Sequence, residues 1–165
     1  MVSEVGTNLR VLKPSRKRVK AGDLFAMQIP DGRFLFGRVI TTEARIGPME
    51  EVILLYIYAK PSPSKEPPDR EVLSPDGLLV PPMLTNRLAW TRGVFENVAH
   101  WPLTPRDVLP AHCFWDYLRQ RYYSEKGEEL GEPSGPRGEY VLKSFRTIDD
   151  AISDALGIGR VPREP

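Results

Sequence analysis

The stretch Gly22-Asp23-Leu24-Phe25-Ala26-Met27-Gln28-Ile29-Pro30-Asp31-Gly32-Arg33-Phe34-Leu35-Phe36-Gly37-Arg38-Val39-Ile40-Thr41 decides the fold. Phe25, Met27 and Ile29 recur with period two; after Pro30-Asp31-Gly32, the series Phe34, Phe36, Arg38, Ile40 alternates with Leu35, Gly37, Val39, Thr41. Successive side chains on a strand point to opposite faces, so two such segments joined by a glycine-containing turn read as a β-hairpin. Within Glu51 to Tyr58, the run from Val52 onward is continuously apolar. A strand covered on both faces has this pattern, which makes it the expected central strand.

Outward from this unit, Pro61 to Gly77 is rich in proline, serine and charge and buries too little apolar surface to offset the entropy of ordering it, so an exposed loop is expected over 61–77. Leu78 to Leu84 resumes an apolar run, but Pro81-Pro82 confines it to a sheet edge or a strand end. Trp90 to Val98 alternates again and predicts a strand with Trp90, Val94 and Val98 inward and a bulge or close backbone contact at Gly93. Thr104-Pro105 predicts about one helical turn before Pro110. Phe114 to Tyr123 reads as a strand, with Ser124-Glu125-Lys126-Gly127 turning the chain so that Glu128 to Leu130 runs back. The last element is an amphipathic helix: Thr147 is the expected cap, Asp150 completes a capping box, Ile148, Ala151, Ile152, Ala155 and Leu156 form one stripe, and Gly157 ends it.

These elements predict a mainly β (α+β) protein, a strongly bent antiparallel sheet or partly open barrel with one C-terminal helix packed on it. The chain of 165 residues suits one domain. We place it at residues 20–157, after a basic arm at 1–19 and before a tail at 158–165. Seventeen prolines exclude a helical bundle, and 41% apolar with 27% charged residues exclude a chain disordered throughout. A net charge of +1 gives no global field to draw nucleic acid or an anionic membrane. Arg10, Lys13, Arg16, Lys17, Arg18 and Lys20 form a local cluster, but no aromatic residue interleaves with them. A solvated arm is therefore favoured over a single-strand binder. One cysteine, Cys113, forbids an internal disulfide, and no run is long enough for a membrane span. The cytoplasm is the simplest setting.

Catalytic, cofactor-binding and metal-ligating residues are not indicated, nor is a small-molecule substrate. The glycines near Gly127, Gly131, Gly135 and Gly138 lack the strand-turn-helix setting of a phosphate loop. His112 and Cys113 are adjacent, hence on opposite faces of a strand, and read as a surface histidine beside a buried cysteine. His100 and His112 are separated by three prolines and would need a distant third metal ligand. Asp149, Asp150 and Asp154 are expected on the exposed face of the last helix, where the first two complement its dipole. The aromatic residues read mostly as core, and any that are exposed would anchor a protein partner.

The segments Lys20 to Val39, Trp90-Thr91-Arg92-Gly93-Val94-Phe95, Tyr122 to Leu130 and the helix from Thr147, taken in that order, resemble the immunity protein 26 family of bacterial polymorphic toxin systems. The resemblance spans about Lys13 to Leu156. It implies a mostly β domain that binds a toxin in the cytoplasm and blocks it by stoichiometric protein association, without enzymatic activity. The chain departs from the family pattern in the length of its proline-rich loop and at Ala99-His100, where a Gly-Asn type of turn is expected. We place the partner-binding patch on the loop residues Glu66, Asp69, Arg70, Glu71 and Asp76; an acidic patch would suit the basic cleft of a nuclease toxin. Two other classes compete: a small β-barrel nucleic-acid module using the Arg16 to Lys20 cluster, and an enzyme built on Cys113 or the histidines.

Overall fold

The computed structural model describes residues 2–163. The opening hairpin forms as the period-two pattern requires: β1 (Asp23–Gln28) pairs antiparallel with β2 (Phe34–Ile46), which pairs with β3 (Met49–Ile57). Then follow β4 (Met83–Thr85), α1 (Leu88–Arg92), β5 (Glu96–His100), β6 (Cys113–Asp116), β7 (Arg121–Tyr123), β8 (Glu129–Leu130), β9 (Arg137–Glu139), β10 (Leu142–Lys143) and α2 (Phe145–Leu156). The protein is mostly β, with 33% strand against 16% helix. Its strands divide into two sheets, ordered β10-β4-β3-β2-β1-β5 and β8-β7-β6-β9. Neither sheet closes. Each contains one parallel pair, β10 with β4 and β6 with β9.

Because β1 to β3 are buried on both faces, their alternating side chains feed two cores. Phe25, Met27, Leu35, Val39, Ile53, Leu55 and Ile57 face one side and meet Phe145, Ile148 and Ile152 of α2. Leu24, Ala26, Phe36, Ile40, Val52, Leu54 and Tyr56 face the other and meet Phe114 of the second sheet and Tyr140, which follows β9. The continuous apolar run of β3 is thus explained, and β3 lies inside the larger sheet. Gly37 sits where the neighbouring strands β1 and β3 leave no room. A Cβ there would lie 2.3 Å from the Phe25 ring and 2.7 Å from the Tyr56 carbonyl oxygen.

Several local expectations are corrected. Trp90 to Val98 is not one strand. Leu88–Arg92 is helical, Gly93 caps it at φ 86, and β5 starts only at Glu96. The spacing 90, 94, 98 satisfies a helical period as well as a strand period, and Val98 packs with the opposite core from Trp90 and Val94. Gly93 does make the close backbone approach: a Cβ would lie 2.7 Å from Pro14 N. Phe114 to Tyr123 is likewise two strands around a tight turn, because the Asp116 carboxylate captures the next amides. Of the two places expected for Pro81-Pro82 the strand end holds, since they directly precede β4, and the sheet edge does not, since β4 is an inner strand between β3 and β10. Ala99 and His100 continue β5 and pair with Leu24 and Asp23, so no turn forms there.

The helix α2 begins one residue after Ser144, whose hydroxyl accepts the Thr147 N–H at 3.1 Å, and Thr147 lies within the first turn. The earlier start brings Phe145 into the apolar stripe. Gly157 ends the helix at φ 71. Asp149 is fully buried, contrary to its expected place on the exposed face. Its two oxygens accept the Asn8 and Leu9 N–H groups, both at 2.9 Å. Burial pushes the Asp149 carboxyl up, against those two amides and the Arg163 guanidinium.

Residues 2–20 run along this assembly. Leu9 and Val19 join the α2-side core. Leu12 N–H donates to Gly93 O at 2.8 Å and Ser15 N–H to Trp90 O at 3.0 Å. The six basic side chains of the segment stay exposed.

Candidate functional site

The loop over 61–77 is exposed but seated at defined points. Leu73 is buried in the second core, and two short 3-10 turns, Arg70–Val72 and Pro75–Gly77, shape its second half. The seat begins at Arg38 of β2, whose side chain is 1% exposed. Its Nε donates to Gly22 O at 3.1 Å, its guanidinium donates to Trp101 O, and it lies 5.5 Å from the centre of the Trp101 ring. Arg70 lies 5.4 Å from the same ring and donates to Pro102 O at 3.0 Å.

Asp107 approaches both arginines, at 3.8 Å from Arg38 and 3.9 Å from Arg70. Burial pushes its carboxyl up. That effect is outweighed by the Thr104 amide and hydroxyl and by the two cations, and the net shift is downward. The turn at Pro105–Asp107 that carries it is the short helical turn expected from Thr104-Pro105.

Between loop and turn lies a cleft of about 750 Å³, with Arg70, Glu71, Ser74 and Asp76 on one wall and Thr104 to Asp107 on the other. Of the five loop residues singled out from sequence, all are exposed. Arg70, Glu71 and Asp76 come together at the cleft, and Glu66 and Asp69 lie outside its lining.

The basic cluster contributes to a separate cleft of about 970 Å³. There Arg16, Arg18, Arg45 and Arg87 are interspersed with Glu43, Glu50 and Glu51, and Arg45 is ion-paired to Glu50. A phosphate backbone needs a stripe of one sign, and this lining alternates.

The histidines serve separate networks. His112 is buried, not at the surface as expected. Its Nε2 is 2.5 Å from the Tyr56 hydroxyl and its Nδ1 is 3.4 Å from Glu125. Leu109 N–H donates to the same hydroxyl at 3.0 Å. One proton arrangement satisfies the whole chain: Leu109 N–H to Tyr56 Oη, Tyr56 O–H to His112 Nε2, and His112 Nδ1–H to the Glu125 carboxylate. Burial pushes the Tyr56 hydroxyl up to about 12, while the hydrogen bond from His112 holds Glu125 below the usual carboxylate range.

Cys113 is buried, as expected. His100 bonds Asp23 at 2.8 Å, and Asp23 also accepts from Lys20 N–H and the Asn97 amide. Among the described residues, no three His, Cys, Asp or Glu side chains converge in a way that would hold a metal ion.

The β6–β7 hairpin supplies a feature that the reading of aromatics as mostly core passes over. Phe114 and Tyr123 turn inward, and Trp115 and Tyr122, opposite one another in register, turn outward with ring centroids 4.7 Å apart. At the tip Tyr117 is 66% and Leu118 94% exposed. The signal was present as Asp116, a residue type that closes turns by accepting amides ahead of it in the chain.

The fold therefore defines a two-sheet β domain whose buried polar groups mostly hold the framework together, and whose uncovered features are a charged loop and an apolar hairpin tip. The chain belongs to the Immunity protein 26 family, whose model matches residues 20–124, a segment that contains β1 to β7. No curated protein and no solved structure matches the chain. The family neutralises toxins, is generally non-enzymatic and implies a toxin as partner. Among the described residues, no helix is long and apolar enough to cross a membrane.

Proposed function

We propose that this chain binds and neutralises a cognate toxin by one-to-one association in the cytoplasm, and that occupancy alone, without bond-making chemistry, blocks the toxin. Holding a lethal enzyme inactive calls for nanomolar affinity, about 12 kcal/mol, and an interface of about 800 Å² on each partner suffices. The observation that carries the reading is family membership across β1 to β7 together with the charged loop.

Glu66, Asp69, Glu71 and Asp76 present four carboxylates against two cations, Lys65 and Arg70, all exposed within one loop, and Lys65 is ion-paired to Glu96. Arg70 is tied back by Trp101, Pro102 and Asp107, so part of the loop is ordered before any partner arrives. An acidic, partly ordered patch complements a basic cleft, the electrostatic form a nuclease requires.

The test is calorimetric titration against the catalytically inactivated toxin encoded by the adjacent reading frame. One-to-one nanomolar binding is expected, weakened by about tenfold or more when Glu66, Asp69, Glu71 and Asp76 are all changed to Lys. Absence of association at micromolar concentrations would sink the reading.

A further inference from the structure

We propose that the β6–β7 hairpin tip is the apolar anchor of the toxin contact, with Leu118 entering an apolar pocket on that toxin whose rim carries a carboxylate opposite Arg137. This inference rests on the toxin-binding reading above and names the face that carries it.

The first observation is an exposed leucine on a rigid support. Leu118 is 94% exposed and Tyr117 66%, yet the turn that holds them is pinned. The Asp116 carboxylate accepts the Leu118 N–H at 2.9 Å, the Arg119 N–H at 3.2 Å and the Arg119 guanidinium at 2.9 Å. The Asp116 carbonyl accepts the Gln120 N–H at 2.8 Å, and Gln120 takes the left-handed conformation, φ 56, that completes the reversal. An apolar knob fixed in place before binding loses little conformational entropy on docking.

The second observation is what surrounds the knob. The inward side of the same strands is used up: Phe114 is fully buried, and Tyr123 stacks on Tyr140 at 4.5 Å. The outward side presents Trp115 and Tyr122, with Arg137 lying 5.7 Å over the Tyr122 ring. Tryptophan, tyrosine and arginine are the residue types that dominate binding energy at protein interfaces.

The third observation is charge. Arg119 is paired with Asp116 and Arg121 with Glu129, whereas Arg137 contacts the ring and hydroxyl of Tyr122 and, among the described residues, has no carboxylate within 4.0 Å. A cation left unneutralised beside an apolar surface is complemented by a carboxylate on the occupant. The hairpin also lies within residues 20–124, the part of the chain that the family shares.

The test compares the full-length chain with Leu118→Asp, Arg137→Glu and the loop variant carrying Lys at 66, 69, 71 and 76, each titrated with the inactivated toxin of the adjacent reading frame. Leu118 is so exposed that Leu118→Asp should unfold at the wild-type temperature, and circular dichroism checks this. Binding should weaken by about a hundredfold for Leu118→Asp and about tenfold for Arg137→Glu. If both bind as the wild type while the loop variant is weakened, the hairpin assignment is overturned and toxin binding stands. If the wild type fails to bind, both fall. If Leu118→Asp instead turns a dimer of this chain into a monomer by sedimentation and leaves toxin binding unchanged, the face belongs to a second copy and the proposal is overturned.

Discussion

Asp149, inside the C-terminal helix, accepts the backbone N–H of Leu9 at 2.9 Å, a bond between residues 140 apart in sequence. The same carboxylate accepts Asn8 N–H, and Leu9 fills the core beneath α2. The N-terminal segment is thus part of the folded unit. Asp149→Ala strands two amides and should cost about 1–3 kcal/mol, while Leu9→Ala empties a core position at about 2–5 kcal/mol. Urea unfolding checks both. Midpoints unchanged from wild type would mean that the segment is not docked in solution.

Arg38 ties β2 to Trp101 and to the turn that seats the loop. Arg38→Ala takes the guanidinium from the Gly22 and Trp101 carbonyls and leaves Asp107 with Arg70 alone, at about 1–3 kcal/mol. Limited proteolysis should show faster cutting within residues 61–77. Equal cutting rates would mean that the loop does not depend on this seat.

Gly138 lies where the second sheet presses on the first. A Cβ would stand 2.4 Å from the Pro82 carbonyl oxygen and 2.8 Å from the Phe114 ring. Gly138→Ala should therefore destabilise by about 1–3 kcal/mol. Gly131, whose added Cβ meets nothing within 4 Å, tolerates Ala to within about 0.5 kcal/mol. Thermal unfolding of the pair separates contact from glycine chemistry.

Glu125 gives the acid side of the stability profile a definite sign. His112 holds its carboxyl below the ordinary 4.5, so its contribution is present above that pH and is lost as pH falls through the folded value. Glu125→Gln should flatten the decline of the urea midpoint below about pH 4.5 relative to wild type. Asp149 acts in the opposite sense. Its raised carboxyl contributes most below the ordinary 3.8 and loses that contribution as pH rises through its folded value. Parallel profiles for wild type and Glu125→Gln would contradict the His112–Glu125 bond.

How much was legible follows from how far each feature reaches along the chain. The opening hairpin, the doubly covered β3, the turn at Ser124 to Gly127 and, apart from the exposed Ala155, the stripe and glycine stop of α2 were readable, because each is set by a few consecutive residues. The Trp90 region differs from that reading because spacings of four serve both periods; Gly93 ends the helix in the left-handed conformation, φ 86, and lies against Pro14, a residue far upstream. Of the candidate contact residues, Arg70, Glu71 and Asp76 meet at one cleft, but only their partners at 104–107 make it a cleft.

The amino-acid sequence by itself determined a mostly β domain with a helix on one face, since backbone periodicity and turn chemistry are local. Tertiary structure alone decided which polar groups are buried and which aromatics face out. Asp149 and His112 pass as surface residues until Leu9 and Tyr56 are brought to them. Burial depends on what the rest of the chain places alongside a residue, and no window of neighbours contains that information.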